Sequence, residues 1–86
     1  MSPSTVGQRA RALRVIRRLT QVEAARRLGI DQTTLSRIET DVLLPTEELA
    51  DRMRALYAWT PAVDAAIETI LQAAPPLGDD DTEEDA

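Results

Sequence analysis

Gln32, Thr33, Ser36, Arg37 and Thr40 fall on one face if residues 32–39 form a helix, because Leu35 and Ile38 then turn inward together. That row presents an amide, hydroxyls and a guanidinium to whatever lies outside. An amide such as that of Gln32 can pair with adenine through two hydrogen bonds, and a guanidinium such as that of Arg37 with guanine. A threonine methyl can touch the methyl of thymine. This chemistry reads base edges in a major groove and makes no bonds. A merely solvated helix face is the competing explanation of the same residues.

Catalysis finds little material. The 86 residues include no histidine and no cysteine, which removes the commonest general base, the commonest metal ligand and any disulfide. No nucleophile–base pair, metal-ligand cluster or phosphate-cradling glycine loop can be assembled from the rest. The sequence therefore implies no enzyme, no cofactor and no metal. Its apolar runs are far too short to span a bilayer, and Met1 to Ala10 has no apolar core of a secretion signal. The expected location is cytoplasmic, at the nucleoid if DNA is bound.

The net charge of −5 misleads as an average. Residues 1–40 carry eight Arg against three acids, a balance of +5, and residues 41–74 carry two Arg against six acids, −4. Residues 75–86 add six acids and no base. Positive charge is thus concentrated on the part of the chain that holds the polar row, and such asymmetry says more about partners than the total does.

Several elements must hold that row in place. Val6, Ala10, Leu13 and Ile16 recur at helical spacing and predict a first helix from Thr5 to about Arg17. Thr20-Gln21-Val22-Glu23 reads as a capping box opening a second helix, with Ala24, Ala25 and Leu28 inward. Gly29 ends it, where a positive φ is expected. Ile30 points inward, and Asp31 is a natural N-cap for the helix Gln32 to Glu39. Pro45-Thr46 announces a fourth helix, with Leu49, Met53, Leu56, Ala50 and Tyr57 as its buried stripe. Thr60-Pro61 opens a fifth, whose stripe is Val63, Ile67, Ile70, Leu71 and Ala74. Pro75-Pro76 stops it. The fold class expected is all-α, a compact five-helix domain over 5–74, followed by an acidic tail over 75–86 too poor in apolar residues to fold.

Around the turn, Ala24, small Ala25, Leu28, Gly29, Ile30, Leu35 and Ile38 are what two helices crossing steeply need. Here the chain resembles the phage-repressor/Cro (XRE-type) helix-turn-helix domains. The resemblance covers residues 5–72 and rests on Val6-Gly7-Gln8-Arg9, Leu13-Arg14, Leu19-Thr20-Gln21, Ala25 through Gly29-Ile30, and Leu35-Ser36-Arg37-Ile38-Glu39. It implies a five-helix fold, usually dimeric, that binds operator DNA. It places Gln32, Thr33 and Arg37 at base-reading positions, with Ser36 beside them. It also makes Gln21 a phosphate clamp and pairs Arg14 with Glu39 as a structural ion pair between the first and third helices. Thr40, Arg9, Arg11, Arg17 and Arg18 are further candidate phosphate contacts, with surface solvation as the alternative for the arginines.

Three departures stand out. The loop after the third helix, where relatives carry Gly and cations, reads Asp41-Val42-Leu43-Leu44. Its apolar residues either meet another protein or pack on their own core. The fifth helix carries more apolar surface than one small core needs, which suggests a homodimer through Val63, Ile67, Ile70 and Leu71. The tail either folds back on the arginine-rich face as a phosphate mimic or only solubilises the chain. Two functions follow as expectations. The first is a dimeric repressor or regulator of double-stranded DNA, reading an inverted repeat. The second is a protein-interaction module, such as an antitoxin or phage regulator, using Val42–Leu44 or the tail.

Overall fold

The computed structural model describes residues 4–73, and the expected acidic tail, with Ala74, lies outside them. Five α-helices follow one another: α1 (Val6–Ile16), α2 (Gln21–Leu28), α3 (Gln32–Glu39), α4 (Glu47–Tyr57) and α5 (Pro61–Ala73). There is no strand among the described residues. Nor is any helix there long and apolar enough to cross a membrane.

A short oxygen-bearing side chain opens every helix. Thr5, Thr20, Asp31, Thr46 and Thr60 each accept a hydrogen bond from the backbone N–H three residues on, satisfying a donor that the helix itself cannot. The complete capping box lies at α1. There Thr5 Oγ1 accepts from the Gln8 N–H at 3.1 Å, while Gln8 Oε1 accepts from the Thr5 N–H at 2.9 Å. At α2 the box expected from Thr20 and Glu23 is half made. Thr20 takes the Glu23 N–H, whereas the Glu23 carboxylate leans toward Arg27, at 3.5 Å.

Ala10, Ala12, Leu13, Ala24, Ala25, Leu28, Leu35, Ile38, Met53, Tyr57 and Ile67 make the core. α1 lies at its centre and packs against α3, α4 and α5. Its buried face differs from the expected one. Val6 and Ile16 are exposed, and the inward positions are Gly7, Ala10, Ala12, Leu13 and Arg14. A helix stripe that includes glycine and arginine escapes a search for apolar periodicity. On α5, Ile67 is only 3% exposed and belongs to the core, with Val63 and Leu71 packed against it. Of the four residues expected to meet a second copy, Ile67 is thus buried and Val63 and Leu71 are partly buried. Ile70 alone of the four is exposed, at 51%.

Candidate nucleic-acid interface

The turn between α2 and α3 is built from backbone. Gly29 takes φ +78°, and the Ile30 N–H bonds back to the Ala25 carbonyl at 3.0 Å. This closes the end of α2 in the left-handed conformation that glycine adopts without strain. Arg52 of α4 adds a guanidinium donor to the Leu28 carbonyl, at 3.3 Å. Asp31 then starts α3, and its hydrogen bonds with Thr34 hold its carboxyl below the usual carboxylate range.

Leu35, Ile38 and Glu39 are the buried residues of α3. Thr33, Arg37 and Thr40 are exposed, and Gln32 and Ser36 are partly so. The five polar side chains therefore lie off the core-facing side as a group. Thr40 Oγ1 donates to the Ser36 carbonyl at 2.9 Å and so seals the C-terminal turn of the helix.

Behind this face runs a chain of polar contacts. Arg14 Nε lies 2.7 Å from Glu39 Oε2, and Arg14 Nη2 lies 3.2 Å from Oε1, a two-pronged pair whose side chains are 2% and 1% exposed. Arg14 Nη1 also donates to the Leu19 carbonyl at 2.9 Å. Gln21 Nε2 donates to Glu39 Oε1 at 3.0 Å, and Gln21 Oε1 accepts from Gln32 Nε2 at 3.3 Å. Glu39 thus ties the end of α3 to α1 and, through Gln21, the start of α2 to the first residue of α3. Fixed-geometry charge-assisted bonds of this kind are the strong ones. The Gln32 amide joins this chain through a longer, neutral bond to Gln21, at 3.3 Å.

The other arginines divide. Arg9 is not at a free surface. Its Nη1 lies 2.7 Å from Glu68 and its Nε 3.1 Å from Asp64, so it straps α1 to α5, while also donating to the Ser4 carbonyl. Of the candidate phosphate contacts, Arg9 is thus the one drawn toward carboxylates of its own chain. Arg17 Nε donates to the Tyr57 carbonyl at 2.8 Å and finishes α4. Arg18 is exposed in the left-handed region, at φ +62°, in the turn between α1 and α2. Arg11 is partly buried.

One assembly has no counterpart in the sequence reading. Gly7 packs against the end of α3, where an added Cβ would stand 2.5 Å from the Ile38 carbonyl oxygen and 2.8 Å from that of Glu39. Asp41, at φ +65°, accepts from the Gly7 N–H at 3.1 Å and from Thr5 Oγ1 at 2.5 Å. Its carboxylate sits at the positive N-terminus of α1 and latches the loop after α3 to it. A glycine inside the first turn of a helix, where it costs stability, was the available signal. Beyond the latch, Val42 and Leu44 are 73% and 79% exposed, so they do not pack on their own core.

Among the described residues no group of three or more acidic side chains could hold a metal ion. Comparison with curated proteins and with solved structures finds no match. The profile of a family described as "Helix-turn-helix domain" matches residues 5–67. That span runs from the cap of α1 through the core residue of α5 and contains the turn at Gly29, the braced α3 and the Asp41 latch. On this match, well over half its length, the chain belongs to the helix-turn-helix domain family.

Proposed function

We propose that this chain is a sequence-specific, DNA-binding transcriptional regulator of the phage-repressor/Cro (XRE) type, acting as a homodimer on an inverted repeat. The observation that carries the reading is the polar face of α3, backed by the Arg14–Glu39–Gln21–Gln32 chain. In this proposal α3 enters the major groove, and Gln32, Thr33, Ser36 and Arg37 read base edges. The N-terminus of α2 faces a phosphate, helped by Gln21, with Arg11, Arg17, Arg18 and Thr40 along the strands. Two copies would place their α3 helices in successive major grooves about 34 Å apart and repress by covering a promoter. The six acids of residues 75–86 would either compete with phosphate for the arginines or only solubilise the chain.

A second reading, a module that binds a protein partner, is favoured by the exposed Val42-Leu43-Leu44 loop. Selection from a random-sequence duplex pool at moderate salt separates the two. The proposal expects enrichment of an inverted repeat. A folded protein that enriches no sequence overturns it in favour of the partner-binding reading.

A further inference from the structure

The backbone carbonyl of Arg37 is a meeting point. It accepts from the Val42 N–H at 2.9 Å, from the Leu43 N–H at 3.1 Å and from Thr40 Oγ1 at 3.3 Å. These donors all belong to the segment that leaves α3, so the course of that segment decides how the last turn of the helix closes. Inside it stands Asp41, whose N–H bonds to the Ile38 carbonyl at 3.1 Å. Its carboxylate leaves the loop and takes the Gly7 N–H and the Thr5 hydroxyl. Gly7 lies so close that a Cβ there would stand 2.7 Å from Asp41 Oδ1. One side chain thus joins the first turn of α1 to the segment that closes on Arg37. At φ +65° a side chain costs energy that glycine avoids, and here the two contacts offset it.

We propose that Asp41 is a positioning residue for base reading. It touches no base, and it fixes the C-terminal turn of α3 so that the Arg37 side chain leaves the helix in one direction. The inference rests on the proposed major-groove role of α3 and names the residue that sets its aim. Aim matters because two parallel hydrogen bonds to one guanine tolerate little misplacement. The charge of Asp41 and its latch act on DNA in different ways. A carboxylate repels phosphate and weakens binding to every sequence alike, whereas the latch sharpens the choice at the one base pair that faces Arg37. Two uncharged substitutions separate them. Asp41→Asn keeps an oxygen for the Gly7 N–H and gains an amide that donates to Thr5 Oγ1, on a residue type that tolerates the left-handed backbone. Asp41→Gly takes the same φ without strain and has no side chain to make either contact.

The full native chain and both variants are compared in two measurements. Amide hydrogen exchange without DNA should quicken about 10-fold at Gly7, Val42 and Leu43 in Asp41→Gly and stay native-like in Asp41→Asn. Equal protection in all three proteins overturns the inference whatever the chain does with DNA. The second measurement is binding to the duplex selected from the random pool and to its single-base-pair variants. Asp41→Gly should lose about 3- to 10-fold in discrimination at the base pair that Arg37→Ala relaxes, and at no other. Asp41→Asn should keep the native discrimination, while both variants bind every sequence more tightly because the charge is gone. Adding Arg37→Ala to Asp41→Gly should lower discrimination no further than Arg37→Ala alone. A loss spread over all base pairs, an additive loss in the double variant, or equal discrimination in the two Asp41 variants overturns the proposal. A pool that yields no selected duplex overturns the base reading and this role of Asp41 with it, while the exchange measurement shows separately whether the latch holds.

Discussion

Two of the arginine ties between helix α1 and its neighbours end on carboxylates, and they differ in kind. Arg14 reaches inward to Glu39 with both side chains almost wholly out of water, while Arg9 reaches across to Asp64 and Glu68 with its own side chain 19% exposed. In the interior, removing one partner strands a charge in a poor solvent. Near the surface, water and counterions replace the lost partner at little cost. The inner tie also connects to Gln21 and Gln32, so it positions the outward face of α3. The outer tie only keeps α5 against the body. The same pairing of residue types can thus serve recognition or mere assembly, according to depth and to what lies next in the chain of contacts.

The sharpest way to break the contrast is Glu39→Ala. It leaves the Arg14 guanidinium buried without its carboxylate and should cost about 3–5 kcal/mol in urea unfolding. A loss below about 1 kcal/mol would show the pair to be hydrated after all. Gly7→Ala tests the close approach of α1 to the end of α3. The added methyl has a backbone oxygen 2.5 Å away, and overpacking of this kind costs about 1–3 kcal/mol. Unchanged stability would mean that α1 can slide.

Arg37→Ala probes the working face rather than its supports. It should leave thermal stability unchanged and weaken binding to the selected site by about 1–3 kcal/mol, with relaxed preference at one base pair. An equal loss on every sequence would reassign Arg37 to phosphate. Tyr57→Phe acts in the opposite direction. The Tyr57 hydroxyl is buried with no hydrogen-bond partner among the described residues, and burial, then the Glu39 carboxylate, pushes its pKa well above the usual tyrosine range. Deleting it should stabilise the fold by about 1 kcal/mol, read as a higher urea midpoint.

The smallest effect belongs to the outer tie. The Ser4 hydroxyl, then Arg9, holds the Glu68 carboxyl down at about 2, against an ordinary 4.5. A carboxylate lowered on folding contributes stability above the unfolded value and loses it as pH falls through the folded one. The native Tm should therefore fall more steeply between pH 4.5 and 2 than that of Glu68→Gln. Parallel curves would mean that the strap is too solvated to matter.

What could be read from sequence follows the range of the forces involved. Helix starts were legible because caps are local: Thr20, Asp31, Thr46 and Thr60 act three residues away. The turn at Gly29 was legible for the same reason. The inward face of α1 was not, because Arg14 counts as a surface residue until its partner, 25 positions on, is known. Arg9 looked available for phosphate because Glu68 stands 59 residues away. The α5 stripe looked surplus because a linear pattern does not say how much apolar surface the other four helices leave uncovered. The latch of Asp41 on Gly7 joins positions 34 apart, and neither residue advertises the other.

The inward anchorage of α3 has a consequence for how such a protein can change. Leu35, Ile38 and Glu39 are buried and fasten the helix, while Thr33 and Arg37 are exposed. Substitutions at such exposed positions usually shift stability by no more than about 0.5 kcal/mol. On the proposed reading of α3, new preferences can therefore be written at Thr33 and Arg37 by single substitutions without passing through unfolded intermediates. Gln32 is the exception, since its amide is wired to Gln21, and a new residue there must be accepted by both helices at once. If α3 reads bases as proposed, retargeting at Thr33 and Arg37 is free of the fold, whereas a change at Gln32 must be made in company.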